Sequence, residues 1–182
     1  MIIKFNTSMI IGKNIDLRKV EVSDAAFILS LRLDPELNQH ISKVEKDLAK
    51  QEDWIRKCKF NDQEWYFIIQ NKKEEAVGTL RIYDIKEDSF CWGSWIVKPE
   101  ARQYATFESV VLLYQNAFFK LGFNNTHFDV RKQNEKALNF HLRFGAIIID
   151  ERDQDYFLTY SKQDFIARQH EYLAKIDKIS TS

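Results

Sequence analysis

The sequence predicts an α+β fold: a mixed sheet built from an antiparallel meander and a central β-α-β crossover, flanked by helices and followed by one appended helix. Three observations carry this reading. Residues 64–97 hold three strand-like runs, "EWYFIIQN", "AVGTLRIYDI" and "SFCWGSWIV", joined by the short polar turns "KKEE" and "KED". Short turns between consecutive strands force antiparallel pairing. Next, "TFESVVLLYQNAFFKLG" has helical spacing, is closed by Gly122, and is followed by the strand-like "THFDVR", which makes a crossover unit. Last, "KQDFIARQHEYLAKIDKI" spaces Phe165, Ile166, Tyr172, Leu173 and Ile176 as an amphipathic helix.

The remaining elements follow in order. "NIDLRKV" alternates Ile15 and Leu17 with Asp16 and Arg18, as a half-buried strand does. "SDAAFILSLRL" reads as a helix, with Ser23 or Asp24 as its cap and Ala26, Ile28, Leu29 and Leu31 at helical spacing. Residues 41–58, "ISKVEKDLAKQEDWIRKC", give a second helix with Val44, Leu48, Trp54 or Ile55, and Cys58 on one side. Beyond the crossover, "NEKALNFHLRFG" is a helix stopped by Gly145, and "AIIIDE" and "DYFLTYS" form a strand pair. No repeat or linker interrupts the chain. Residues 1–182 are expected to form one domain, with a core over about 12–160 and a terminal helix over about 162–177.

Composition excludes several classes of function. The chain of 182 residues carries 27 basic and 27 acidic side chains, with no block of like charge. Nucleic-acid and membrane-surface proteins show a basic excess or stripe, so neither partner is expected. Aromatic residues are plentiful (14 Phe, 7 Tyr and 4 Trp), while only 5 Gly and 2 Pro occur, which argues for a compact domain and against disorder. Cys58 and Cys91 stand alone in sequence, so neither a metal site nor a disulfide framework is expected. The opening "MIIKFNTSMIIGKN" lacks the apolar core and cleavage site of a signal peptide. A cytoplasmic protein is the expectation.

The element order and the wording of four segments resemble the GNAT superfamily of CoA-dependent N-acyltransferases. "GKNIDLRKVEVSDA" is similar to the family's opening strand and first helix start. "VGTLRIYDI" with "WGSWIVKPEARQ" resembles its strand pair and the proline exit. "NAFFKLGF" resembles the end of its long helix. The fourth segment is Asn134-x-x-Ala137, with an aromatic at 140 and Gly145 after it. "LSLRLDPELNQHI" is similar to the branch that acylates nucleotide-linked amino-deoxysugars in bacterial surface-glycan (O-antigen) pathways.

The resemblance implies acetyl-CoA or another short acyl-CoA as donor. It implies as acceptor a dTDP- or UDP-linked amino sugar. Two further readings stand beside this: acetylation of a protein N-terminus or other small amine, and a degenerate CoA-binding protein without turnover. A homodimer is also possible within the family.

Acyl transfer needs a neutral amine, a polarised thioester, a proton for the departing sulfur, and donors for the CoA pyrophosphate. The resemblance assigns these tasks to positions. Ile96 and Val97 pair with the pantetheine arm by strand addition. Arg102, Tyr104, Ala105, Thr106 and Phe107 occupy the pyrophosphate loop, with amides from Tyr104 to Phe107 facing phosphate. The family's loop glycines are absent here, so either the loop turns differently or CoA binding is weakened.

Asn134 caps its helix and contacts the CoA arm. The family's tyrosine acid is replaced by His141, which is expected to protonate the sulfur near neutral pH. Its rival reading is packing among Ala137, Phe140 and Phe144. The branch's glutamate base is replaced by Cys91, expected to be a buried small residue, and no base is identified. On the acceptor side Arg32, Asn38, Tyr66 and Trp92 are the candidates, with Trp54, Trp65 and Trp95 as further stacking surface.

Overall fold

A computed structural model describes residues 9–180. The first eight residues of the opening stretch, read above for a signal peptide, lie outside the described residues. The chain runs β1 (Met9–Ile11), β2 (Ile15–Lys19), α1 (Ala25–Leu33), α2 (Leu48–Lys59), β3 (Trp65–Asn71), β4 (Ala76–Lys86), β5 (Ser89–Val97), α3 (Arg102–Phe119), β6 (Asn125–Arg131), α4 (Glu135–Phe144), β7 (Ile147–Arg152), β8 (Asp155–Ser161) and α5 (Lys162–Ser180). One sheet of eight strands results, in the order β1-β2-β3-β4-β5-β6-β8-β7. Among the described residues only β5 and β6 pair in parallel, across the α3 crossover; the other neighbours are antiparallel. The expected α+β class, meander, crossover and terminal helix are all present.

Both faces of the sheet are covered, and alternation along β3 shows how. Trp65, Phe67 and Ile69 enter the larger core with α3 and α5, whereas Tyr66 and Ile68 enter a smaller one with Ala25, Ile28, Ile55 and Cys58 of α1 and α2. Successive side chains leave opposite faces of a strand, so a strand buried on both sides needs apolar residues throughout.

Four expectations need correction. Residues 41–47 are not helical: α2 starts at Leu48, because Asp47 caps it by accepting from the Lys50 amide at 3.1 Å, and Arg32 claims the Ser42 carbonyl at 2.9 Å. The long helix opens earlier than read, at Arg102, after a 3₁₀ turn that starts with Pro99; proline's fixed φ suits a first helical turn. In α5, Phe165, Tyr172 and Ile176 are buried, but Ile166 and Leu173 face outward. Ser23 and Asp24 do not cap α1 through their side chains. Asp24 instead accepts both ends of the Arg18 guanidinium at 2.7 Å.

Candidate active site

The site arises where β5 and β6 part. They pair only at Ser89 with Asn125 and Phe90 with Thr126, so from Cys91 onward β5 has no strand partner on that side. The cause lies in the pairing of β5 with β4. Gly93 faces Arg81 and Ile96 faces Thr79, which sets Ser94 and Trp95 against Leu80 alone. Such a two-against-one bulge bends its strand and increases twist. Ser94 takes the left-handed φ of 49°, and Thr79 Oγ1 ties its carbonyl down at 2.8 Å. Helix α4 stands behind the gap.

Two cavities meet at this gap. One, of about 540 Å³, runs between the exit of β5, the start of α3 and the start of α4; its walls include Ile96, Val97, Arg102, Thr106, Asn134 and Phe140. The other, of about 720 Å³, is walled by Arg32, Trp54, Arg81, Asp129, Arg131 and His141, among others. Trp95, Asn134 and Ala137 belong to both, so the two are continuous.

The smaller cavity gathers most of the expected CoA residues. The free edge of β5 at Ile96 and Val97 offers backbone groups to an extended arm, and Arg102 stands at the positive end of α3. Asn134 caps α4 by accepting from the Ala137 amide at 3.2 Å. Three of the expected residues fall away from this wall. Because α3 starts at Arg102, the amides of Ala105, Thr106 and Phe107 are already bonded within the helix, which leaves those of its first turn, around Gln103 and Tyr104. Ala105 is buried in the core and Tyr104 packs against it. Phe107 lies against Phe144 and Tyr172 on the far side, with the Lys175 ammonium 4.0 Å from its ring centre. The loop that glycines would shape is not formed, since the strand exit passes directly into helix. Its residues suit a CoA pyrophosphate through the helix start and Arg102.

His141 is buried, at 6 % exposure, and lines the larger cavity. Four rings surround it: Phe128 at 4.6 Å, Trp92 at 5.3 Å, Phe140 at 5.6 Å and Trp95 at 6.2 Å between centroids. Burial pushes its pKa down to about 4, because the rings offer no partner for an imidazolium. At neutral pH the ring is therefore neutral and keeps a single N–H donor. Tyr172 of α5 braces this helix, donating to the Phe144 carbonyl at 2.5 Å. Gly145 closes it in a left-handed conformation, φ 113°.

The acceptor candidates divide. Arg32 lines the larger cavity, and its Nε is buried without a hydrogen-bond partner. Trp92 forms part of the wall but is only 5 % exposed, and its Nε1 donates to the Tyr114 hydroxyl at 3.0 Å; it supports His141 rather than offering an open face. Asn38 belongs to neither wall: its side chain donates to the Arg32 carbonyl at 3.0 Å and ties off the end of α1. Tyr66 is buried at 2 % exposure in the smaller core, edge-on to Trp54. It shares a sheet face with its partner Arg81, but α1 and α2 cover it there, so it does not reach the cavity. Trp65 is core, whereas Trp54 and Trp95 reach the cavity.

Sequence reasoning missed Arg81, Tyr83, Asp129 and Arg131, all in the larger cavity's wall. The Arg81 guanidinium lies 4.3 Å from the Tyr83 ring centre and 5.4 Å from that of Trp54, and pairs with Glu64 at 2.9 Å. A charged residue at every second strand position was the available signal. Cys91, as expected, is buried, and burial pushes its thiol up to about 11, which removes it as a nucleophile.

Comparison with known proteins agrees with this geometry. The family model for the acetyltransferase (GNAT) domain matches residues 14–147. The solved structure of apo FdhC, described as a nucleotide-linked sugar GNAT, is 38 % identical over 94 % of this chain and 98 % of that one, with a TM-score of 0.82. A GCN5-related N-acetyltransferase from Brucella melitensis shares the fold at 17 % identity, covering 91 % of this chain and 84 % of that one, with a TM-score of 0.75. So does the spermidine N-acetyltransferase of Vibrio cholerae in complex with CoA and spermine, at 16 % identity, 85 % of this chain, 99 % of that one, and a TM-score of 0.75. No curated protein sequence matches.

Proposed function

The chain belongs to the GNAT acetyltransferase family, and from that premise we propose that its acceptor is a nucleotide-linked amino-deoxysugar. Membership makes the chain a CoA-dependent N-acyltransferase acting on an amine, with acetyl-CoA or another short acyl-CoA as donor. The donor supplies an acyl group activated as a thioester. Arg102, the first turn of α3 and the open edge of β5 hold it, and Trp95 and Asn134 stand where the two cavities join.

The larger cavity is the observation that carries the acceptor. Its volume of about 720 Å³ lies within the range of small-molecule sites. Three guanidiniums, from Arg32, Arg81 and Arg131, line it against one carboxylate, Asp129. Arginine forks match the geometry of phosphate oxygens, and Trp54 and Trp95 supply ring faces for a base or sugar. The 38 % identity to a nucleotide-linked sugar GNAT points the same way. Such a reaction fits cytoplasmic assembly of a precursor for a bacterial surface glycan.

The test is thiol release from acetyl-CoA with a panel of dTDP- and UDP-amino-deoxysugars, spermidine and an N-terminal peptide. Release with a sugar nucleotide is expected. Release with spermidine or the peptide alone contradicts the proposal.

A further inference from the structure

The family branch's strand glutamate is replaced by Cys91, which leaves the acceptor ammonium without an evident proton acceptor on β5. Register shows where one lies instead. Cys91 pairs with Tyr83, and Gly93 with Arg81, so these four share one face of the sheet, the face of Tyr66, which pairs with Arg81. Phe90 pairs with Thr126 across the parallel step. Counting in twos from there puts Trp92 and Phe128 on the opposite face, beside His141, and puts Asp129 on the face of Cys91, Gly93 and Tyr83. Asp129 is exposed, and it is the only carboxylate among the described residues lining the larger cavity. No hydrogen bond or ion pair engages its carboxylate among the described residues. Burial is the main cause that raises the Cys91 thiol and the Tyr83 phenol, and the nearby Asp129 charge adds to both. Tyr83 Oη would lie 3.0 Å from any Cβ placed on Gly93, so the hydroxyl stands over the Gly93 backbone.

From this juxtaposition we infer that Asp129, on β6, takes the proton from the acceptor ammonium, directly or through one water. The inference rests on the reading of this cavity as the amine site. One ammonium proton passes to the Asp129 carboxylate and then to solvent. The freed nitrogen lone pair forms the N–C bond to the thioester carbonyl. The C–S bond breaks and its electron pair leaves on sulfur, and the second nitrogen proton ends on that sulfur as the free thiol. The base and the His141 N–H therefore serve the reaction from opposite faces of the sheet, through the gap between β5 and β6.

The titratable and charged groups facing Asp129 are Tyr83 from β4, Cys91 from β5, and His127 and Arg131 on its own strand. Arg32 and Arg81 stand in the cavity wall, and β8 presents Phe157, over whose ring Arg152 lies at 4.8 Å.

The experiment compares wild type with Asp129→Asn in thiol release from acetyl-CoA. The acceptor is the dTDP- or UDP-amino-deoxysugar that wild type uses, and the pH runs from 6 upward to beyond the acceptor amine's own pKa. We expect kcat to fall by about 100-fold at neutral pH, with the KM for acetyl-CoA and the thermal midpoint unchanged, and the deficit to shrink as alkali deprotonates the amine. A merely structural role gives a deficit that stays constant with pH, which overturns the inference. So does a kcat within about threefold of wild type. Wild-type protein that releases no thiol with any amine overturns the amine-site reading and Asp129 with it; turnover in wild type with an unaffected variant overturns Asp129 alone.

Discussion

At the scale of single residues, His141 is defined by what surrounds it. Its position was legible in the sequence, seven residues after the capping Asn134 and four before Gly145. Its protonation was not, because the rings that desolvate it come from β5, β6 and its own helix. In the proposed reaction at a thioester, a neutral N–H directed at the sulfur is the useful form. His141→Phe should lower kcat by about 10- to 100-fold with CoA affinity, measured by calorimetry, near wild type; unchanged turnover removes His141 from the mechanism.

Burial also makes His141 a stability group. Its folded pKa of about 4 lies below the ordinary 6.5, so the unfolded chain binds more protons between these values. Stability is then complete above about pH 6.5 and is lost as pH falls toward 4, by up to about 3 kcal/mol. Thermal midpoints taken from pH 7 to 4.5 should fall less steeply in His141→Phe than in wild type.

Asn38 and Tyr66 illustrate the converse. Both stand beside the right segments in sequence, but a hydrogen bond to the Arg32 carbonyl ties Asn38 off, and Tyr66, though on the face of Arg81, is buried beneath α1 and α2.

At the scale of elements, most of the fold could be read from spacing. Alternation gave the strands, helical spacing gave α1, α3, α4 and α5, and Gly122 and Gly145 marked two ends. What escaped depends on partners. The false first turns of α2 have helical spacing, yet the Ser42 carbonyl is taken by Arg32. Strand β1 is three residues long and, among the described residues, pairs only with β2, too short for a periodic signal. The bulge at Ser94 was invisible because a register shift belongs to two strands at once.

That bulge opens the site, and Thr79 holds it from a fully buried position. Thr79→Val leaves the Ser94 carbonyl without its donor; it should cost about 1 kcal/mol of stability and raise the KM for acetyl-CoA, both measurable on the purified variant. Tyr172→Phe should likewise destabilise by about 1–2 kcal/mol in denaturant unfolding, since one hydroxyl meets both Phe144 and Tyr160.

At the scale of the whole molecule, the sheet acts as a partition with one opening. The residues proposed to hold CoA gather at the exit of β5 and the starts of α3 and α4, while arginines from α1, β4 and β6 line the cavity proposed for the acceptor. Among the described residues no helix is long and apolar enough to cross a membrane. The two halves of the site were unequally legible. The donor half follows chain order through one crossover, so neighbouring segments suffice to find it. The acceptor half joins Arg32, Arg81 and Arg131 across about a hundred residues of sequence, and only the sheet brings them together.

The central claim is that this cavity reads the nucleotide diphosphate as well as the amine. The direct measurement is kcat/KM for one amino-deoxysugar offered in two forms, linked to its nucleotide diphosphate and free, in wild type and in Arg81→Met. Charge-assisted phosphate contacts contribute about 1.5–3 kcal/mol each, so wild type should prefer the linked sugar by at least about 100-fold, and Arg81→Met should erode that preference without changing the KM for acetyl-CoA. Equal kcat/KM for the linked and free sugars would contradict the account.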